Sequence, residues 1–423
     1  MKNKNAIILL FLANTISGIA QGICMISIPW YFSKTLHQES LFGLLYFVLT
    51  CVTLLWGSYS GTLVDKYNRK NIFLIISMSG FFSLLIAAIA SAQYDILPWY
   101  MAIFPFVATA LIYNIHFPNL YSLAQEITEN QNYSKVTSAL EVQGQFSFAI
   151  SGALASFLIT GSDDGSFDLL GLKLNLGIIC KPWHLSEIFI MNAITYLIAF
   201  ALIWQIKFIP TAARKIDTGT LRERFVAGWT FLSERKHLLY YGVFSLFVFA
   251  TILIASTNLM PRYVYNVLHE NGSVYANSEM YFAIGAMSAG LFTFKIFGRR
   301  YNLGVVILSL VGAAIFIYFA AFKNILIFYI MHLLLGFSNA AIRVLRVTYL
   351  FENTPNAVIG RTSSVFFISN VFWRLIWIGI ISLPIFAIGD HIKFACWGLA
   401  LFCLLGAIGV WYSRSIENSH RSE

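Results

Sequence analysis

Twelve apolar segments, each long enough to cross a lipid bilayer, constrain the fold of this chain more than any other feature of its sequence. A membrane-spanning helix needs about 20 predominantly apolar residues. Backbone polar groups cannot remain unpaired in lipid, so such segments form helices. The segments lie at residues 6–32, 41–64, 71–92, 99–124, 136–160, 184–206, 238–260, 275–297, 303–322, 325–350, 362–386 and 394–413. The pattern predicts an all-α integral membrane protein with twelve transmembrane helices.

The composition excludes a soluble protein and a nucleic-acid-binding one. Hydrophobic residues make up 58% of the 423 residues and charged residues only 11%, whereas a soluble exterior of this size needs charge. The net charge of +9 is spread over loops and forms no single basic patch, so we expect no nucleic-acid partner. The five cysteines show neither a metal-ligand spacing nor a disulfide framework. We expect no metal and no cofactor.

The distribution of Lys and Arg predicts the orientation in the membrane. Most of the 28 basic residues fall in the loops on the side of the N-terminus, which is the positive-inside pattern. We therefore expect a multi-pass protein of the cell (inner) membrane with both termini cytoplasmic. The first apolar run is too long for a cleaved signal peptide and is interpreted as an uncleaved helix. The outer loops then contain Lys34, Lys173, Lys181, Arg262, Lys323 and Lys393.

A basic segment in the middle of the chain divides the twelve segments into six and six. The boundaries predict an N-terminal six-helix bundle at 1–206, a cytoplasmic linker at 207–237, a C-terminal six-helix bundle at 238–413 and a cytoplasmic tail at 414–423. Within the linker, Leu221, Phe225, Trp229 and Leu232 share one face at helical spacing, which predicts an amphipathic helix along the membrane surface. We expect the outer loop Gly161–Ser186 to be solvated, and the protein to be a monomer.

The most specific motif lies between the second and third segments. It reads Gly61-Thr-Leu-Val-Asp65-Lys-Tyr-Asn-Arg69-Lys70 and resembles the signature loop of the major facilitator superfamily. Asn68 replaces the usual glycine of that loop, and asparagine also tolerates a positive φ. The resemblance implies that Gly61, Asp65, Arg69 and Lys70 form a conformational latch. In that latch Asp65 would pair with a basic residue or with the positive end of a neighbouring helix.

A weaker resemblance to the macrolide-efflux and enterobactin-exporter branch of the same superfamily covers most of the chain. It rests on His116-Phe-Pro118, on the Arg222–Leu238 segment, on Glu279 and on Ile359-Gly-Arg361. This resemblance implies export. Two departures argue against proton–drug antiport: Thr109 stands where many proton-driven exporters carry an arginine, and the Gly-Pro pair of drug antiporters is missing from the fifth segment.

Arginines inside apolar segments predict an anionic substrate. An ionisable side chain at mid-membrane costs at least about 2.5–3.5 kcal/mol, so it needs a partner or a function. His332, Gly336, Asn339, Arg343 and Arg346 share one face of the tenth segment, and Asn370, Arg374 and Trp377 share one face of the eleventh. We expect these faces to line a polar cavity in which Arg343 and Arg374 bind carboxylate or phosphate, with Asn339, Asn370 and Trp377 beside them. A structural network is the alternative for Arg343 and Arg374. For Arg346, substrate contact, pairing with Glu141 across an inner gate and snorkelling towards the cytoplasm all stay open.

The N-terminal half offers further polar candidates. Asn14, Gln21 and His116 are predicted to line the substrate path, although close packing between helices is the alternative for such residues. Glu141 is the first candidate for proton coupling and Glu279 the second. For Glu279 the alternative is a position facing water, because it lies near the outer end of its segment.

Together these features predict a secondary active transporter of a small anionic solute, siderophore-like or an organic acid, working by alternating access in either direction. No nucleotide-binding loop is present, so an ion gradient, with a proton as the coupling ion, supplies the energy. The alternative function is a proton-coupled multidrug or macrolide efflux pump. A membrane receptor or enzyme is disfavoured, because His269 and Glu270 lack a third metal ligand and no protease or hydrolase motif occurs.

Overall fold

The computed structural model describes residues 3–129, 132–162, 165–169, 172–175, 177, 179–207, 221–355 and 358–422, and these residues are mostly helical. The first half contains α1 (Lys4–Lys34), α2 (Glu39–Lys66), α3 (Arg69–Ser91), α4 (Trp99–Ile127), α5 (Tyr133–Thr160) and α6 (Leu185–Trp204). The second half contains α7 (Leu221–Glu234), α8 (Lys236–Leu268), α9 (Gly272–Phe297), α10 (Tyr301–Ala321), α11 (Ile325–Asn353), α12 (Ile359–Ile381) and α13 (Ile392–Ser422).

Twelve of the described helices, all except α7, are long and apolar enough to cross a membrane. They coincide with the twelve predicted segments, so the predicted all-α membrane fold is confirmed. The bounds differ most at three helix ends. α8 continues past residue 260 to Leu268, α12 ends at Ile381 rather than at 386, and α13 runs on through the predicted tail to Ser422.

The outer connection between α5 and α6 contains a small hairpin, whereas the sequence predicted a plain solvated loop. Strand β1 (Ser166–Leu169) pairs antiparallel with β2 (Leu172–Asn175), and Phe167 lies opposite Leu174. Beside the hairpin, Ser162 and Cys180 exchange both backbone hydrogen bonds, which closes the base of the loop.

The described helices form two compact units. Unit 1 consists of Met1–Gln38, Val48–Asp217 and Asn271–Met280; unit 2 consists of Glu39–Phe47, Thr218–Glu270 and Tyr281–Glu423. The first turns of α2 therefore pack with helices of the second half, and the first turns of α9 pack with helices of the first half. The division of the sequence at 1–206, 207–237, 238–413 and 414–423 stays a prediction, and residues 208–220 of the linker lie outside the described residues.

In unit 1 the core is built where small side chains let helices approach. Ala6, Leu10 and Ala13 of α1 are fully buried and belong to a cluster with residues of α3, α4, α5 and α6. Gly80 of α3 lies directly under the ring of Tyr196 in α6, where an added Cβ would come within 2.9 Å of the ring. Close packing of this kind is the usual source of helix association in lipid.

In unit 2 two glycines allow α9 and α11 to cross with their backbones in contact. A Cβ on Gly285 would lie 1.9 Å from the carbonyl oxygen of Leu333, and one on Gly336 would lie 1.9 Å from that of Phe282. His332, one turn before Gly336, is 3% exposed and bonds through Nδ1 to the carbonyl oxygen of Phe328. This end of the predicted polar stripe is therefore packed helix interface and lines no cavity, which corrects the sequence interpretation of His332 and Gly336.

The linker helix α7 packs against the start of α12. Gly228 approaches the carbonyl oxygen of Arg361, and Leu232 is fully buried, whereas Trp229 is 49% exposed. The predicted apolar face is thus divided between a side buried in unit 2 and an exposed side. The position of the exposed side on the membrane surface remains a prediction.

An exposed ion cluster lies between α12 and α13. The Asp390 carboxylate accepts hydrogen bonds from Lys393 Nζ at 2.6 Å and contacts Lys323 Nζ at 3.1 Å. The hydrogen bond from Lys393, and then the contact with Lys323, lower the pKa of Asp390 below its ordinary value. Because the folded pKa is depressed, the stabilisation is present above the unfolded pKa and is lost as the pH falls through the folded pKa.

We expect Asp390→Asn to lower the free energy of unfolding by less than about 1 kcal/mol at pH 7, because the groups are solvent-exposed. The difference from wild type should shrink as the pH falls below the ordinary aspartate pKa of about 3.9, and it should vanish at a second pH that lies below the depressed folded pKa. Thermal melts of the purified protein at both pH values measure it. Asp95→Asn, a change at another exposed loop aspartate, is the matched control. A difference that persists at the lower pH would contradict the ionic origin.

Candidate functional site

The signature loop connects α2 to α3 and is tied to helices of unit 1. Asn68 has φ −63° and ψ 120°, and its side chain accepts a hydrogen bond of 3.2 Å from the backbone N–H of Asn71. Asn68 therefore caps α3, and no positive φ is needed where the family has glycine. This corrects the reason given for the substitution, since asparagine is a preferred N-cap residue.

Two basic residues of the loop bind neighbouring helix ends. Arg69 Nη1 lies 3.0 Å from Glu126 Oε2 near the end of α4, and Asn119 donates to the Arg69 carbonyl oxygen at 2.9 Å. Lys70 Nζ donates to the carbonyl oxygens of Trp204 and Ile206, at 2.8 and 2.7 Å, at the C-terminal end of α6. A cation at a helix C-terminus is favoured by the exposed carbonyl groups there. The side chain of Asp65 lies outside the described residues, so its pairing, and with it the latch formed by Gly61, Asp65, Arg69 and Lys70, stays a prediction.

In unit 2, Arg374 of α12 is the intramembrane arginine with the least satisfied side chain. Its Nη2 donates to the hydroxyl oxygen of Tyr46 at 2.9 Å, while its Nε is buried and has no acceptor in the described part of the chain. Asn370, one helical turn earlier, is 6% exposed, and its Nδ2 also lacks an acceptor among these residues. No carboxylate of the described residues pairs with Arg374.

Unsatisfied buried donors of this kind carry an energetic cost. A buried N–H without an acceptor costs about 1–3 kcal/mol, and a buried charge without a counter-charge costs more. Two such donors on consecutive turns of one helix have the chemistry to bind an oxygen-rich anion, because the guanidinium fork matches carboxylate and phosphate geometry.

The other predicted residues of the second half have different surroundings. Arg346 Nη1 donates to the Ser245 carbonyl oxygen at 3.2 Å, and Arg343 is exposed. Asn339 is half-buried and makes no hydrogen bond within the described ranges. The ring of Trp377 packs 5.7 Å from that of Phe402 and against Gly398 of α13. Arg374 and Asn370 thus have free hydrogen-bonding capacity, whereas Arg346 and Trp377 contact neighbouring helices.

A polar network in unit 1 accounts for two of the N-terminal candidates. His116 Nε2 lies 2.9 Å from Asn14 Oδ1, and Asn14 Nδ2 donates to Gln143 Oε1 at 3.2 Å. Gln143 Nε2 in turn donates to Thr15 Oγ1 and to the carbonyl oxygen of Phe11 at 2.5 and 2.8 Å. This arrangement supports the packing alternative for Asn14 and His116. Gln143 itself was missed by the sequence analysis.

The two carboxylates proposed for proton coupling differ in exposure. Glu141 is exposed and accepts a hydrogen bond of 2.6 Å from the Tyr121 hydroxyl. Glu279 is 3% exposed and lies in unit 1 one turn after Tyr275, whose ring stacks on Trp30 at 6.3 Å. Glu279 therefore does not face water, which corrects the alternative considered for it. Gln21 is half-buried and makes no hydrogen bond among the described residues.

Twelve described helices that are long and apolar enough to cross a membrane define a polytopic membrane protein. The sequence matches the family model of the Major Facilitator Superfamily over residues 10–378, and the chain belongs to this superfamily. Members of this superfamily are transporters, so the chain is a transporter and not an enzyme.

One curated relative and several solved structures are similar to this chain. A protein of Staphylococcus aureus (strain NCTC 8325 / PS 47) named "Staphyloferrin A transporter" is 20% identical over 357 residues, which cover 84% of this chain and 82% of the relative. The nucleoside transporter NupG has a TM-score of 0.69 at 14% identity, covering 97% of this chain and 99% of NupG. A bacterial homolog of the human lysosomal transporter Spinster has a TM-score of 0.70 at 12% identity, covering 96% of each chain. At these identities the solved structures show the fold alone.

Proposed function

We propose that this chain is a secondary active transporter that carries a small anionic solute, siderophore-like or an organic acid, by alternating access. The superfamily supports transport of a small molecule, and a proton is the proposed coupling ion. Glu141, which is exposed and bonded to Tyr121, is the first coupling candidate, and the buried Glu279 is the second. We also propose that the protein is a monomer in the cell membrane, with both termini cytoplasmic. The orientation rests on the distribution of Lys and Arg.

The observation that carries the anionic substrate is the state of Arg374. No carboxylate of the described residues pairs with its guanidinium. Its buried Nε and the Nδ2 of the neighbouring Asn370 also lack an acceptor among these residues. A substrate carboxylate or phosphate would supply acceptors for both donors. We assign Arg374 and Asn370 to this contact, with Arg343 and Asn339 as the further candidates on α11.

The relative named for staphyloferrin A supports a siderophore-like solute within the anionic class. The alternative, a proton-coupled multidrug or macrolide efflux pump, is disfavoured by the same arginine. A cationic drug beside an unneutralised guanidinium is repelled, and the repulsion is stronger at low dielectric than in water.

Uptake by reconstituted proteoliposomes tests the proposal. With an imposed proton gradient, we expect Arg374→Gln to weaken the apparent affinity for an acidic solute, with citrate as the first probe, by about tenfold or more. That loss corresponds to one charge-assisted hydrogen-bonded contact of about 1.5–3 kcal/mol. Arg374→Lys keeps the charge but not the guanidinium fork, so its apparent affinity should lie between those of wild type and Arg374→Gln.

Arg361→Gln, a change at an exposed arginine of the same helix, is the matched control and should leave affinity unchanged. Mannitol serves as the neutral solute in every assay. If Arg374→Gln leaves the binding and uptake of every acidic solute unchanged, the proposed anion site at Arg374 is excluded. An uptake rate that does not depend on any imposed ion gradient would exclude secondary active transport.

A further inference from the structure

Arg262 is a buried arginine that neither the family signature nor the anion site uses. It is 1% exposed and lies in α8 between two π-helical turns, Ala255–Leu259 and Tyr263–Leu268. The sequence placed it in an outer loop, and this is corrected by the continuation of α8 to Leu268. A guanidinium this deeply buried requires several acceptors.

The acceptors of Arg262 are the ends of two other helices. Nη1 donates to the carbonyl oxygen of Ile381, the last residue of α12, at 2.9 Å. Nη2 donates to the carbonyl oxygen of Glu39, the first residue of α2. The Glu39 carboxylate in turn accepts from Asn266 Nδ2 at 3.4 Å. The start of α2 is therefore held between α8 and α12.

Close backbone packing completes this attachment. Gly43, one turn into α2, faces Ser382, and an added Cβ would come within 2.2 Å of Ser382 Oγ and 3.0 Å of Arg262 Nη2. Only a glycine leaves room for both groups. We call Glu39, Gly43, Arg262, Asn266 and Ser382 the α2 clamp.

The clamp sets the position of Tyr46 on Arg374. Tyr46 lies seven residues after Glu39, and Arg374 lies seven residues before Ile381. Seven residues are about two helical turns, or roughly 10 Å, and return to the same helix face. Measured from the clamp, both side chains therefore reach the same level, and the Tyr46 hydroxyl meets Arg374 Nη2 at 2.9 Å.

We propose that Arg262 is a positioning residue of the anion site, acting through α2. While the clamp is closed, Tyr46 occupies one N–H group of Arg374. When the clamp opens, α2 carries Tyr46 away and the whole guanidinium fork becomes available to the solute. This inference rests on the proposed function, because it takes Arg374 as the anion contact.

The structure of α8 provides a means of opening. π-Helical turns are rare and concentrate at functional sites, since a change to α-helical pairing shifts the register of the residues that follow. Asn258, one turn before Arg262, is 1% exposed, and neither of its amide atoms has a partner among the described residues. A buried amide without hydrogen bonds costs free energy, so a rearrangement that pairs this amide would be favoured.

Three variants test the positioning role. Arg262→Met should tighten the apparent affinity for the acidic probe citrate about fivefold, because Tyr46 no longer occupies Arg374. It should also reduce the maximal uptake rate at least tenfold, because the α2 clamp no longer closes. Tyr46→Phe should tighten affinity similarly without the loss of rate. Arg262→Lys should restore part of the rate, and Lys323→Gln, at an exposed cation, should change neither quantity.

Thiol labelling provides a readout that does not depend on the solute. In a Cys51→Ser/Cys180→Ser background, Ser382→Cys should react with a maleimide about five times faster when Arg262→Met is present. An unchanged labelling rate would overturn the clamp. A second outcome would overturn the positioning role alone. In it, Arg262→Met speeds the labelling and Arg374→Gln still weakens binding, but neither Arg262→Met nor Tyr46→Phe changes the affinity. If Arg374→Gln leaves binding unchanged, the proposed function fails and the positioning role fails with it.

Discussion

Gly336→Val is expected to destabilise the folded protein strongly. The first side-chain carbon at this position would lie 1.9 Å from the backbone oxygen of Phe282, well inside van der Waals contact. A flexible side chain could move aside, but a helical carbonyl group can move only with its helix, so α9 and α11 would have to separate. Overpacking commonly costs 1–3 kcal/mol, and we expect about 3 kcal/mol or more here.

That loss is large against a typical stability of about 5–15 kcal/mol. Size-exclusion profiles and thermal melts of the detergent-solubilised protein measure it. Gly290→Val, in α9 where an added Cβ meets nothing within 4 Å, is the matched control and should behave like wild type. A Gly336→Val protein that is monodisperse and melts within about 2 °C of wild type would show that the two backbones are not in contact.

The fold could be predicted from the sequence because each spanning helix carries its own signal. An apolar segment of about 20 residues has one stable structure in lipid, whatever it later contacts. The end of α8 is the instructive exception. Pro261 and Arg262 look like the start of an outer loop, yet the chain stays helical through a π turn to Leu268. The acceptors that stabilise Arg262 are Glu39 and Ile381, and nothing in the local sequence reveals residues so distant along the chain.

The polar and charged residues of the candidate site could be predicted from the sequence, but the residues that contact them could not. The spacing of Asn370 and Arg374 placed both on one face of α12, and the structure leaves both with unsatisfied donors. Tyr46, which binds Arg374, lies 328 residues earlier and shares no pattern with it. Tertiary contacts of this kind arise from packing between helices, which a single sequence does not encode locally.

The N-terminal half shows a second limit of sequence periodicity. Glu141 is the residue of α5 that the sequence singled out, and Gln143 lies about 200° from it around the same helix. Gln143 nevertheless bonds to Asn14 and Thr15, because its side of α5 packs on α1. Gln143, which the sequence did not single out, therefore bonds to the predicted residue Asn14, which in turn bonds to His116.

Glu126→Gln is expected to destabilise the protein and slow transport, because it leaves Arg69 without its counter-charge. The Arg69 side chain is 25% exposed and that of Glu126 is 14% exposed, and Arg69 Nε is buried without an acceptor among the described residues. Breaking a fully buried pair costs about 3–5 kcal/mol, and partial exposure reduces this to about 2 kcal/mol. We expect uptake to slow about tenfold, since the signature loop would lose its attachment to α4.

The comparison that isolates the ion pair is a double-mutant cycle. Arg69→Gln/Glu126→Gln removes both charges and should be less destabilising than Glu126→Gln alone, because no unpaired charge remains. Glu234→Gln is the control for a surface pair: Glu234 and Arg235 are 3.5 Å apart with side chains 68% and 44% exposed, so its loss should cost at most about 0.5 kcal/mol. Thermal melts and proteoliposome uptake of wild type, Arg69→Gln, Glu126→Gln and the double variant give the coupling energy. If the double variant loses as much stability as the two single variants combined, Arg69 and Glu126 act independently and the loop is held by Lys70 and Asn68 instead.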